Sequence, residues 1–333
     1  MFVPVVDCNQ QPLMPTTPSR ARRWIKTGKA TPFWKKGVFC VRLNVEPSDQ
    51  KAQPIAVGID PGSKKEGWTV KSPAHTYLNI QADAVTWVKE HVEQRRQMRR
   101  ARRYRKTPCR QPRFNRVRGG IPPSTKARWQ WKLRLAKWLA KLFPISTFVV
   151  EDIKAQTKGQ RWWDVSFSPL EVGKQWLYRQ LAELGQVLTR SGWETKQMRD
   201  ALGLKKTGKK TAEVFEAHCV DAWVLAHSAT GGSSQPDNKR MLCVVPLRFH
   251  RRQLHCLQPD KQGRRTLYGG TLSLGLKRGS LVRHPKWGIT FVGGSSDGKV
   301  SLHRLEDGKR LTQNARKADV RQLSFCSWRF YGK

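Results

Sequence analysis

Acidic residues are scarce in this chain of 333 residues: 24 Asp and Glu stand against 64 Lys and Arg, a net charge of +40. So many like charges repel one another in a compact fold unless a polyanion covers much of the surface, which makes nucleic acid the expected partner. Long apolar runs are missing as well. No stretch approaches the roughly 20 residues of a membrane span, and the N-terminus carries no signal-peptide pattern, so a cytoplasmic, non-membrane protein is expected, nucleoid-associated when bound to DNA. The seven cysteines are dispersed and include no C-x-x-C pair. That argues against a zinc ribbon, and the odd number argues against a disulfide framework; both suit a reducing compartment. Hydrophobic residues, at 38%, suffice for a real core in one large or two to three smaller domains.

The stretch that organises what is present is Ile55-Ala-Val-Gly-Ile-Asp60-Pro-Gly-Ser63-Lys-Lys-Glu-Gly67-Trp-Thr-Val70. An apolar, β-branched run ends on a carboxylate, turns through Gly62 and resumes as a second strand, which predicts a hairpin in a buried sheet with Asp60 on a rigid element. Asp before Pro-Gly is also an ordinary β-turn, so the motif alone leaves both readings open. Two later segments tilt the balance. Ser146-Thr-Phe-Val-Val-Glu151-Asp-Ile153 is a second apolar strand with an acid near its end, and Phe215 to Ala226 predicts a helix whose His218 and Asp221, three apart, share a face. Asp152 points to the opposite side of its strand from Glu151 and counts as a neighbour. Strand acid, strand acid, then helix with His and Asp is the order found in metal-dependent nucleases of the ribonuclease-H-like class. Their chemistry needs carboxylates converging on divalent ions about 3.5 to 4 Å apart.

In chain order, residues 1–48 predict a small module: a strand from Phe2 to Asp7, a rigid connection Pro12-Leu13-Met14-Pro15, a basic helix from Ser19 to Lys26 capped by Ser19, and a returning strand from Gly37 to Leu43. Arg20, Arg22, Arg23 and Lys26, with Trp24 and Trp34 nearby, read as an RNA-contacting surface or as a solvated basic helix. Residues 49–82 hold the Asp60 hairpin and a third strand at His75–Ile80. Residues 83–120 contain the densest charge: twelve Lys or Arg and no acid between Arg95 and Arg118. Arg95, Arg96, Arg99, Arg100, Arg102, Arg103 and Arg105 predict a helical rod of roughly 30 Å that meets several phosphates, ended or bent by Pro108 and Pro112.

Residues 121–231 begin with an amphipathic helix from Ser124 to Phe143, burying Trp131, Leu135, Trp138, Leu139 and Leu142. The Glu151 strand follows, then a helix from Ser168 to Ser191, a last strand at Trp193–Met198, a mobile basic loop from Ala201 to Lys210, and the His218 helix. Residues 232–333 change texture to short alternating runs punctuated by glycine, which predicts a small antiparallel barrel or sandwich. The fold class expected is therefore α/β: a ribonuclease-H-like core with an inserted Arg-rich helix, a small N-terminal module and a small C-terminal β domain.

Taken together, the Pro12-Leu13-Met14-Pro15 motif, Gly58-Ile-Asp60-Pro-Gly-Ser63, Glu151, the arginines around Arg95 to Arg105, and His218 to Asp221 resemble the transposon-encoded, RNA-guided IscB group, and within it the IsrB proteins. IscB proteins carry an HNH nuclease between the second and third RuvC segments. Here that interval, Asp152 to Ala217, contains no histidine, so the second nuclease is absent, as in IsrB.

The resemblance implies a PLMP domain at 1–48, RuvC segments with an intervening bridge helix at 83–120, and a C-terminal region that contacts an RNA stem and a target-adjacent motif. It implies a monomeric ribonucleoprotein in which an omega-type guide RNA pairs with double-stranded target DNA beside a flanking motif. Asp60, Glu151 and Asp221 would bind two Mg2+ ions, His218 would act as general base, and the product would be a nick in the non-target strand. Two other readings stay open: an unguided RuvC-like nuclease such as a transposase or junction resolvase, and an RNA-binding protein with a degenerate nuclease core.

Overall fold

The computed structural model describes residues 2–47, 52–106, 121, 123–154, 168–209, 211–247, 257–258, 263–264 and 272–333. The chain divides into two compact units, one of Met1–Lys51, Ile80–Asp83 and Arg240–Lys333, the other of Ala52–Asn79 and Ala84–Lys239. Strands and helices mix in an α/β protein. No helix among the described residues is long and apolar enough to cross a membrane.

The first unit opens with β1 (Val3–Val6), β2 (Pro12–Thr16), α1 (Pro18–Lys26), β3 (Ala30–Lys35) and β4 (Val38–Leu43), whose strands form a sheet in the order β2-β1-β4-β3. The Pro-Leu-Met-Pro segment is a strand here, where the sequence predicts a connection. It lies at the sheet edge, where a proline's missing N–H costs no ladder bond. The cap of α1 is Thr17 rather than Ser19: its hydroxyl accepts from the Arg20 N–H, and Pro18 takes the first helical position with its fixed φ. Ala21 packs with Val3, Val5, Ala30, Val41 and Leu43, so the basic face of α1 turns outward.

The second unit carries β5 (Ile55–Asp60), β6 (Lys65–Lys71), β7 (Thr76–Asp83, its last four residues in the first unit), α2 (Val88–Tyr104), α3 (Pro123–Leu139), β8 (Ile145–Asp152), α4 (Pro169–Ala182), β9 (Gln186–Ser191), α5 (Gly192–Ala201), α6 (Phe215–His218) and α7 (Val220–Thr230). Its sheet runs β7-β6-β5-β8-β9, with β5 antiparallel to β6, and β8 and β9 parallel additions. Parallel neighbours need crossovers, and α4 supplies the one from β8 to β9. Ile55, Val57 and Ile59 are fully buried with Ala56 between them, the continuous apolar pattern of a strand covered on both faces. Trp131, Leu135, Trp138, Leu139 and Leu142 are buried as expected.

Two elements differ from the sequence reading. Gln186–Ser191 is a strand and Gly192–Ala201 a helix, the reverse of the expectation at Trp193–Met198. The deciding feature is local: Ser191 and Glu194 form a reciprocal capping box that starts a helix at Gly192. The expected single helix from Phe215 is split at Cys219 into α6 and α7.

The first unit resumes with β10 (Met241–Pro246), then the two-residue strands β11 (Leu257–Gln258), β12 (Gly263–Arg264), β13 (Leu272–Ser273) and β14 (Leu276–Lys277). After them come β15 (Leu281–His284), β16 (Gly288–Ser296), β17 (Lys299–His303), β18 (Arg310–Arg316), β19 (Arg321–Ser324) and β20 (Trp328–Gly332). The antiparallel sheet β18-β17-β16-β15-β19 closes over Val282, Val292, Val300, Leu302 and Ala315, in line with the expected small β domain. β20 pairs antiparallel with β10.

Candidate active site

Asp60 is the last residue of β5, and Glu151 the penultimate residue of β8. The register pairs Ile59 with Val150, so the two acids stand at the carboxyl ends of adjacent parallel strands. Crevices at such strand ends are where open α/β sheets place ligands. Asp221 arrives from the first turn of α7. That helix reaches the sheet because two strand residues have no side chain. A Cβ on Gly58 would lie 1.8 Å from the Ala222 carbonyl oxygen, and one on Gly67, the residue paired with Asp60, would lie 1.8 Å from the His218 carbonyl oxygen. The helix that carries Asp221 thus rests directly on the strands that carry Asp60.

Two cations meet these acids. Lys206 donates from Nζ to Asp221 Oδ2 and stands 3.5 Å from Asp60 Oδ2. Arg199 donates from Nη1 to Asp221 Oδ1 at 2.7 Å. Burial holds the Asp60 carboxyl above its ordinary value, against the pull of Lys206 and with Asp221 adding to the rise. Burial also pushes Glu151 up to about 7, with the Asp60 and Asp221 carboxylates adding to the rise and Lys206 and the Thr195 hydroxyl opposing it. Neighbouring carboxylates thus add to the rise of Asp60 and of Glu151. Glu151 also meets the start of α5, where a Cβ on Gly192 would lie 3.1 Å from its Oε1. A helix N-terminus there favours the ionised carboxylate.

His218 is a buried side chain ending α6, with its backbone carbonyl over Gly67. A single turn residue, Cys219, separates the helix that ends in His218 from the one that begins before Asp221, and its backbone stays in the αR region. Asp152 turns away from the other acids: Lys174 bonds it at 2.8 Å and Tyr178 at 2.9 Å.

Sequence reasoning passed over Lys206, Arg199 and Thr195. The Lys-rich loop was visible as basic, but its partners lie in other segments. It also passed over Glu66, a fully buried carboxylate of β6 that pairs with Lys132 and that burial holds above the ordinary range.

Among the described residues, no group of three or more His, Cys, Asp or Glu side chains stands close enough to hold a metal ion. Carboxylate oxygens are the donors a hard divalent cation takes, and Asp60 and Asp221 each turn one toward the Lys206 ammonium.

The arginine-rich segment forms α2, 17 residues with Arg95, Arg96, Arg99, Arg100 and Arg103 exposed, Arg102 half-buried and Arg105 at its C-cap. It starts seven residues before the first arginine of the run and is about 25 Å long, shorter than expected. Pro108 and Pro112 lie outside the described residues.

The family model of the RRXRR protein matches residues 3–161, a little under half of the chain. Arg99-Arg100-Ala101-Arg102-Arg103 spells that pattern. No curated protein matches the chain. Among solved structures, T. thermophilus RuvC in complex with a Holliday junction substrate is similar at 15% identity and a TM-score of 0.30, over 54% of this chain and 97% of that one.

Proposed function

We propose that this chain is a divalent-metal-dependent endonuclease with a ribonuclease-H-like core, guided by an omega-type RNA, that nicks the non-target strand of double-stranded DNA. The observation that carries the nuclease reading is the placement of Asp60 and Glu151 at the carboxyl ends of adjacent parallel strands, with Asp221 of α7 sharing Lys206 with Asp60. The strand order β7-β6-β5-β8-β9, a meander followed by two parallel strands, is that of a ribonuclease-H-like sheet and supports the same reading.

In this proposal Asp60, Glu151 and Asp221 hold Mg2+, which supplies Lewis-acid activation of the phosphodiester and of the attacking water. Arg199 fixes the Asp221 carboxylate through Oδ1. The α5 N-terminus and Thr195 keep Glu151 oriented toward the other acids. His218 takes the proton of the attacking water. The exposed arginines of α2 bridge guide and target backbones, which together with the +40 charge and the match over residues 3–161 supports the guided reading over an unguided nuclease.

The test is purification from a host that carries the flanking locus. A discrete RNA should copurify, and nicking of a matched duplex should require that RNA and Mg2+. Cutting by RNA-free protein would instead favour an unguided transposase or resolvase, and RNA binding without any cutting would favour a degenerate core.

A further inference from the structure

A cavity of about 560 Å3 lies within the second unit, next to the strand-end acids. Pro61 and Gly62, which follow Asp60, line one part of it, and Ile153, two residues beyond Glu151, lines another. Its volume falls in the range of small-ligand sites, about 300 to 1,000 Å3.

A buried carboxyl with an unused oxygen lines the same cavity. Glu66 is 1% exposed; its Oε1 accepts from Lys132 Nζ, and its Oε2 accepts no hydrogen bond among the described residues. The Trp68 indole N–H, on the same face of β6, acts on this carboxyl but makes no hydrogen bond itself. A buried acceptor left unmet is costly, which favours a donor arriving from outside the chain. Lys132 also lines the cavity and has more than one hydrogen to give. Acceptor and donor thus stand side by side, which complements the mixed donor and acceptor edge of an unpaired base.

The wall also holds an aromatic ring that cannot easily move. A Cβ on Gly173 of α4 would lie 1.8 Å from Trp129 Nε1, so the ring is wedged against that helix, and Lys132 Nζ lies 5.5 Å from the ring centroid. A fixed ring is a platform on which any base can stack. Lys89 and Arg128, both exposed at the cavity, are placed to meet phosphates, while the other acid of the lining, Glu93, stands 3.9 Å from Arg96.

Resting on the nuclease reading above, we propose that this cavity takes one unpaired nucleobase of the displaced DNA strand, beside the phosphodiester to be cut. The base stacks on Trp129 and sets its hydrogen-bonding edge against Glu66 Oε2 and Lys132. Drawing that base aside holds the neighbouring phosphate at Asp60 and Glu151.

The test uses the full chain with its copurified RNA, Mg2+ and matched duplexes, each lacking one base of the displaced strand near the nick. Strand separation is not slowed by a missing base there, so a slower nick reports a lost contact. The wild type should nick roughly tenfold more slowly at one position, the scale of one stacked base, and nearly normally at the others. Val92→Trp, at a half-exposed residue of α2 that lines the cavity, should fill it: the intact duplex is then nicked slowly, with no further loss at that position. Wild-type nicking indifferent to every missing base would overturn the inference and leave the nuclease reading standing, whatever the stability of the variant. A tenfold drop retained in Val92→Trp would do the same. Failure of the wild type to nick any duplex would overturn the nuclease reading and the inference together.

Discussion

The carbonyl oxygen of Ala222 faces the α-carbon of Gly58 so closely that a methyl group on that carbon would lie 1.8 Å from it. The contact is backbone against backbone, which has no rotamer with which to yield. Asp221 precedes Ala222, and Asp60 lies two residues beyond Gly58, so this one approach sets the spacing of two acids. Gly58→Ala should therefore cost more than about 3 kcal/mol of stability, read as a lowered urea midpoint. Gly208→Ala, where a Cβ meets nothing within 4 Å, should leave that midpoint nearly unchanged.

Asp60→Ala should reduce nicking by about a thousandfold or more, the scale on which loss of a metal-holding carboxylate removes several kcal/mol of charge stabilisation. RNA binding should persist, because the exposed arginines of α2 are untouched. Unchanged nicking in a plasmid-relaxation assay would refute the site.

The raised Glu151 carboxyl has a pH signature in the metal-free protein. Its value is 4.5 without the fold and about 7 within it. Between those values the folded state binds more protons than the unfolded state, so this group's contribution is fully present below pH 4.5 and is lost as pH rises through 7. The loss should be on the order of 2 to 3 kcal/mol. Glu151→Gln should flatten that slope in urea titrations from pH 4.5 to 7.5.

Lys132 and Glu66 form a pair whose side chains are 8% and 1% exposed. Removing one partner strands a buried charge, so Lys132→Met should cost about 3 to 5 kcal/mol. Lys132→Met combined with Glu66→Gln should recover much of it. A double-mutant cycle of unfolding free energies measures the coupling.

Replacing Arg95, Arg96, Arg99 and Arg100 with Gln removes four exposed cations from one helix. Guide-RNA affinity should fall, and the slope of log affinity against log salt should flatten by about 3, near 0.7 to 0.9 for each phosphate that is no longer neutralised. Filter binding between low and physiological salt reads both effects. An unaltered slope would place the RNA elsewhere.

The amino-acid sequence alone determined the apolar strands that end in Asp60 and Glu151, the arginine helix, the buried face of α3 and the small β domain. Each of these follows from short-range periodicity and residue type, which act over a few positions. Tertiary structure decided the rest. The apolar texture of 168–201 suits helix or strand equally; the local Ser191–Glu194 box starts α5, while pairing of β9 with β8 makes 186–191 a strand. The fit of Ala222 onto Gly58 and of His218 onto Gly67 comes from the meeting of segments more than a hundred residues apart. Lys206 was legible only as one lysine of a basic loop. Its place between Asp60 and Asp221 depends on a charge meeting charges from two other elements, and interactions of that range leave no local pattern in the chain.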